Sequence, residues 1–262
     1  MTIFVGIEDR PQWEELPTEA IIINGVALDE EIRGFRTLNV KGRELIGKEV
    51  DTVNVAGRDG ALYLGSKLPT RTLTVTYSLV AEDNRQFRES FERLNKIFNE
   101  DNLEIRFRDD LRNFYTGTLT SVADITPGMI SVVSELSFTC PDPFKYSDPI
   151  VEDGEDEVVF DMSTFYETTP RQMSVYPSVD TSTITLNSGD RQIQLVDGSF
   201  IEGREVEIDF SGDEIRARSG GHDFTNKIAL HSDLEEFYIV RGQPIEFEEG
   251  GRLVVETREV SL

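Results

Sequence analysis

From Leu73 to Leu79 every second residue is apolar, and Thr72, Thr74, Thr76 and Ser78 fill the places between. Period two is the signature of a strand with one face on a core and the other on water. The same alternation returns at Leu103, Ile105 and Phe107, and again at Ile130, Val132, Ser134, Leu136 and Phe138. Between the first two of these strands the period changes. Phe87, Phe91, Leu94 and Phe98 recur at spacings of four, three and four. This predicts an amphipathic helix over residues 83–99, with Asp83 as its N-cap and the aromatic stripe lying on a sheet. Earlier, residues 21–26 read as a short strand entering a turn at Asn24 and Gly25, and residues 32–40 as a second strand. Residues 49–55 alternate as well, and Val50, Val53 and Val55 are expected to be buried. Gly57 and Gly60 then supply the permissive backbone of a tight reversal. Pro127 and Gly128 mark another turn.

Pro141, Pro143 and Pro149 end this pattern, and the acidic, turn-rich residues 151–157 mark a domain boundary. The expected domains are residues 1–149 and 150–262. Beyond the boundary, short strands alternate with glycine-bearing turns at the spacing of a sandwich. They include residues 172–176, 183–187, 191–196, 227–230, 237–240 and 253–257. No helix of useful length is expected there. The fold class is therefore mainly β, with one helix in the first half and an all-β jelly-roll or galectin-like sandwich in the second. Residues 1–18 read as an arm or edge cover.

Charge changes the picture more than composition does. The chain has 262 residues and a formal net charge of −24. Most of the excess acid lies after Pro149. Such a chain repels a phosphate backbone and an anionic lipid surface, so neither stable nucleic-acid binding nor membrane docking is expected. No apolar run approaches the roughly 20 residues that span a bilayer. No secretory leader opens the chain, so it is expected to be made in the cytoplasm and to stay soluble or leave within a larger particle. A single cysteine, Cys140, excludes an intrachain disulfide and every cysteine-based zinc cage, and is expected to be a small buried residue.

Candidate chemistry is thin. The only imidazoles are His222 and His231, with Ser211 and Ser219 near them in sequence but no nucleophile elbow. There is no zinc-protease motif, P-loop or dinucleotide fingerprint. Asp180, Asp190, Asp197 and Asp213 sit near turns but form no calcium-loop pattern. Tyr176, Phe200, Phe224, Phe237 and Tyr238 could stack on a sugar but suit a core better, and Trp13, the one tryptophan, lies far from them in sequence. The chain is read as no enzyme, with no catalytic, cofactor or metal residue to assign.

The succession of pieces in the first half is informative as a whole. The Ala56-Gly57-Arg58-Asp59-Gly60 turn, the 71–80 strand, the single helix and the closing run Pro141-Asp142-Pro143-Phe144-Lys145-Tyr146 resemble the N-terminal domain of the distal tail proteins of long-tailed, non-contractile phages. Near the other end, Val240-Arg241-Gly242-Gln243-Pro244-Ile245 and Leu253 to Glu259 resemble the family's last strands. There Arg241-Gly242-Gln243 replaces a Pro-Gly-Asn-type turn, and the lead before Ile21 is longer than the family's. The resemblance implies an N-terminal β-sandwich with one helix and an extended hairpin arm. It also implies a hexameric ring around a channel for DNA, with the C-terminal sandwich outside. Its partners would be the major tail tube protein, a tail-associated hub or fibre protein and the receptor-binding apparatus, all at the distal end of a virion tail. A carbohydrate-binding accessory module and a sandwich-fold glycoside hydrolase are the alternatives that the residues leave open.

Overall fold

The structure is a computed structural model that describes residues 16–125, 129–163, 166–212 and 214–262. It divides into two compact units, residues 1–143 with Leu262, and residues 144–261. Most of the lead segment, the Pro127-Gly128 turn and Asp213 lie outside the described residues.

The first unit contains β1 (Ile21–Ile23), β2 (Val26–Ala27), α1 (Leu28–Glu31), β3 (Phe35–Lys41), β4 (Glu49–Asn54), β5 (Ala61–Lys67) and β6 (Arg71–Val80). It continues with α2 (Asn84–Ile97), β7 (Leu103–Phe107), β8 (Asp110–Val122) and β9 (Ser131–Cys140). One antiparallel path runs β2-β1-β7-β8-β9-β6-β3. The alternation in β6 is fully used: Leu73, Val75, Tyr77 and Leu79 are buried, and they meet Leu136 and Phe138 of β9 in one core. At the β1–β2 turn, Asn24 and Gly25 both adopt positive φ, the backbone of a two-residue hairpin whose twist matches its strands.

The path rolls until its two ends meet at Thr37. The Ile21 amide donates to Thr37 Oγ1 at 3.3 Å. The Asp29 carboxylate accepts from the Thr37 amide at 2.8 Å and from its hydroxyl at 2.7 Å. Asp29 belongs to α1, a helical turn that the hydrophobic spacing did not predict, because four residues are too few to show a period. Its Leu28 is wholly buried.

Helix α2 starts as expected. Asp83 accepts from the Gln86 amide at 2.8 Å, and the Gln86 side chain accepts from the Glu82 amide at 2.8 Å. The first bond satisfies an amide that a helix start leaves open, and the second ties the residue before the cap to the first turn. Leu94 is buried, while Phe87, Phe91 and Phe98 are half-buried and packed on the core. Phe98 meets Phe138 edge-on at 5.6 Å, which fixes the helix on β9.

The second unit contains β10 (Lys145–Ser147), β11 (Ile150–Glu155), β12 (Glu157–Val159), β13 (Gln172–Pro177), β14 (Ile184–Ser188) and β15 (Arg191–Leu195). After these come β16 (Val206–Asp209), β17 (Arg216–Ser219), β18 (His222–Asp223), β19 (Pro244–Phe247), β20 (Gly251–Thr257) and β21 (Val260–Ser261). A six-stranded sheet, β11-β20-β13-β16-β17-β18, and a four-stranded sheet, β12-β19-β14-β15, enclose a single core. Met173, Val175, Ile208 and Val255 enter it from the first sheet, and Ile184, Leu186, Ile193 and Ile245 from the second. This is a β-sandwich.

Several sequence expectations are corrected here. Residues 151–157 are no linker: β11 pairs with β20 from Ile150↔Thr257 to Glu155↔Arg252. Its acids suit an edge strand whose side chains reach water, and Asp153 pairs with Arg252. Residues 144–149 fall in the second unit, because Lys145 and Tyr146 pair with Ser261 and Val260. Residues 227–230 and 237–240 form no strand; each holds a single bridge, Leu195↔Ile228 and Thr168↔Ile239. Both stretches lack the neighbours a ladder needs.

Two outcomes follow from this packing. Asp29→Ala leaves the buried Thr37 amide without its carboxylate and is expected to destabilise the chain by about 2–3 kcal/mol in urea unfolding. A fragment of residues 144–262 is expected to melt cooperatively on its own. One beginning at residue 157 loses β11, leaves β20 with an open ladder, and is expected to lose several kcal/mol by thermal circular dichroism.

Candidate functional site

The chemical candidates are dispersed. His222 and His231 are both exposed. Ser219 lies opposite His222 in the ladder, yet its hydroxyl is buried and donates to the Glu205 carbonyl at 2.7 Å. Ser211 donates to Asp209 at 2.6 Å, and this bond is the main cause that holds the Asp209 carboxyl below its usual range. No imidazole activates either hydroxyl, so the triad geometry is not built. Asp180 accepts from the Glu202 amide at 2.8 Å, a loop-holding bond. Among the described residues no three of His, Cys, Asp and Glu come together as a ligand set.

The aromatics are also committed. Phe200 and Phe237 are buried in the sandwich, and Phe224 packs on Phe200 at 5.3 Å. Tyr238 lies under the Arg191 guanidinium at 4.7 Å and Tyr176 under that of Arg252 at 5.3 Å. Cys140 is buried, and burial pushes its thiol up to about 11, with Arg71 pulling the other way.

What the chain presents instead is an apolar arm. β4 and β5 form a two-stranded sheet that joins no other strand. The pairing runs from Glu49↔Lys67 to Asn54↔Ala61, with one irregularity after Asp51. The turn between them uses positive φ at Gly57 and Gly60 and an Arg58 amide bond to Val55 at 3.2 Å. At roughly 3.3 Å per residue, β5 is about 23 Å long. None of the residues in β4 or β5 is buried. The expected burial of Val50, Val53 and Val55 is therefore overturned: all three are exposed, as are Leu62, Tyr63 at 65% and Leu64 at 64%. Their alternation is real, but among the described residues neither hydrophobic core includes them. The arm begins and ends between β3 and β6, which pair antiparallel, so its two roots lie side by side.

Comparison with known proteins agrees with this architecture. Residues 30–140 match the phage tail protein RIFT-related domain family, which covers β3 to β9 and the arm. Residues 30–140 are thus similar to a phage tail domain, and the fold of nearly the whole chain is shared with a solved distal tail protein. The crystal structure of the Dit protein of phage SPP1 is similar over 93% of this chain and 99% of that one, with a TM-score of 0.76 at 18% identity. It is described as a paradigm of the hub adsorption apparatus in phages that infect Gram-positive hosts. Chains of the phage P2 baseplate in its activated conformation, with Ca and with Sr, superpose with TM-scores of 0.52 and 0.51 at 8% identity. They are covered to 90%, against 85% and 86% of this chain. No curated protein sequence matches the chain.

The inert thiol is directly testable. A maleimide at pH 8 should leave Cys140 unmodified in the native protein and label it fully in denaturant, a difference of at least about 100-fold in rate. Rapid native labelling would show that β9 opens.

Proposed function

We propose that the protein is a structural component of the distal end of a phage tail, where its N-terminal unit assembles into a closed, hexameric ring and its β4–β5 arm bridges neighbouring subunits. The observation that carries this reading is the arm itself. A lone hairpin is marginal in water, and this one keeps apolar side chains exposed and pairs with no third strand among the described residues. A patch of this kind marks a protein interface. A closed ring covers it on every subunit, because each arm meets the next body until rotation returns to the first.

In this reading one face of the ring meets the major tail tube protein. The other meets a tail-associated hub or fibre protein, with the receptor-binding apparatus nearby. The C-terminal sandwich lies outside the ring. The net charge of −24 suits a passage that DNA crosses without adhering, since acid repels the phosphate backbone. The part is architectural rather than catalytic. The fold shared with the SPP1 protein and the matched tail domain support the placement.

Tyr63→Asp combined with Leu64→Asp is expected to convert the ring to monomer in sedimentation velocity while the far-ultraviolet spectrum stays unchanged. Both side chains are exposed, so the body loses no packing. Persistence of the ring would remove the arm from the interface.

A further inference from the structure

One buried charge ties together the ground from which the arm springs. Arg71, the first residue of β6, is 3% exposed. Its Nε donates to the Pro143 carbonyl at 2.8 Å. Its Nη1 donates to the Gly42 carbonyl at 2.6 Å and the Glu44 carbonyl at 3.3 Å. The guanidinium lies over the Tyr115 ring at 5.4 Å, and Nη2 has no partner among the described residues.

For stability alone this is a poor choice. Burying a cation with a donor unmatched costs more than filling the same space with an apolar side chain. What the guanidinium adds is geometry, because its planar fork holds three carbonyls in fixed directions. Those carbonyls belong to the entry root of the arm and to the segment that follows β9, and Arg71 itself stands where the exit root ends.

The entry root is pinned on its other side too. Arg43 reaches Asp109 at 2.9 Å and Glu19 at 3.7 Å, and its guanidinium sits 4.5 Å above Phe107. Gly42 has φ +93°, and a Cβ there would collide with the Thr72 carbonyl, so only glycine lets this segment lie so close to β6. Fixation stops at residue 44: Leu45 is wholly exposed and β4 has no buried residue.

We propose that Arg71 is the positioning residue of the arm: its guanidinium binds the entry root to the exit root and so sets the direction in which the arm leaves the body. The proposal rests on the reading of the arm as the element that bridges subunits. A tilt of about 10° at the root moves the end of a strand of about 23 Å by about 4 Å, enough to miss a docking surface. A fixed root also spares assembly the cost of ordering the arm.

The test uses the full chain with spin labels at Arg58→Cys in the arm turn and Glu92→Cys on the exposed side of α2. The buried Cys140 thiol stays unlabelled, and excess unlabelled protein keeps the measured distance within one chain. The native background is expected to give a narrow distance distribution. Arg71→Met and Arg71→Lys are both expected to widen it at least about twofold and to raise the concentration needed for assembly at least about tenfold, because lysine cannot fork across three carbonyls. Both should keep the far-ultraviolet spectrum. An unchanged distance width in a folded variant overturns the proposal. Should Arg71→Met fail to fold, Arg71→Lys decides, and unfolding of both also overturns it, since the residue would then be core. A widened distribution with unaltered assembly upholds the positioning role and instead removes the arm from the subunit interface.

Discussion

The N-terminal unit depends on how a sheet with two free ends closes. No ladder joins β3 to β1 or β2 among the described residues, and the β3–β6 register shifts between Thr37 and Asn39. One side chain does so instead: the Thr37 hydroxyl accepts from Ile21 and donates to Asp29, while Asp29 also takes the Thr37 amide. Four polar groups at the closure thereby satisfy one another, which the low dielectric of a buried site demands. Closure leaves β3 paired along β6, and that pairing places the ends of a long excursion next to each other. The arm can therefore project without opening the core that carries it.

Regular elements were legible in the sequence wherever one face of a strand or helix met the chain's own core for several periods. β6, β9 and α2 are such cases, and so is most of the sandwich. α1 was not legible because its role rests on one carboxylate rather than on a stripe. β11 was missed because an edge strand tolerates the acids that elsewhere mark a loop. The arm shows the deeper limit. Alternation reports that one face of a strand avoids water, not which molecule covers it. Val53 and Val55 have the same spacing as Val75 and Tyr77, yet the first pair is exposed and the second is at the centre of the core. Arg71 was invisible for a related reason: nothing in Lys67-Leu68-Pro69-Thr70-Arg71 distinguishes a buried guanidinium from a solvated one.

The sandwich carries the larger share of the acid yet spends its charge locally. Arg252 pairs with Asp153 across β20 and β11, and Arg171 with Glu256. Exposed pairs of this kind contribute little to stability, so the unit is held by its apolar core. The contrast with the arm is one of degree: the strands of the sandwich expose single valines, Val151 and Val159, whereas β5 exposes Leu62, Tyr63 and Leu64 in succession.

That contrast bears on how the arm is ordered at all. A two-stranded hairpin with no buried residue gains little from its own side chains, so its stability must come from its turn, its roots and whatever covers it. The turn contributes through Gly57 and Gly60, whose positive φ carries no penalty. The roots contribute through Arg71 and Arg43, which hold residues 42–44 in place before β4 begins. In the ring proposed above, the remaining contribution is intermolecular and follows mass action, so order in the arm rises with the concentration of the surface that receives it. A subunit of the proposed ring keeps its apolar strands short and its net charge high until assembly, and its directional preference is already built into the body. The arm's chemistry supplies the adhesion, and the buried guanidinium at its base supplies the aim.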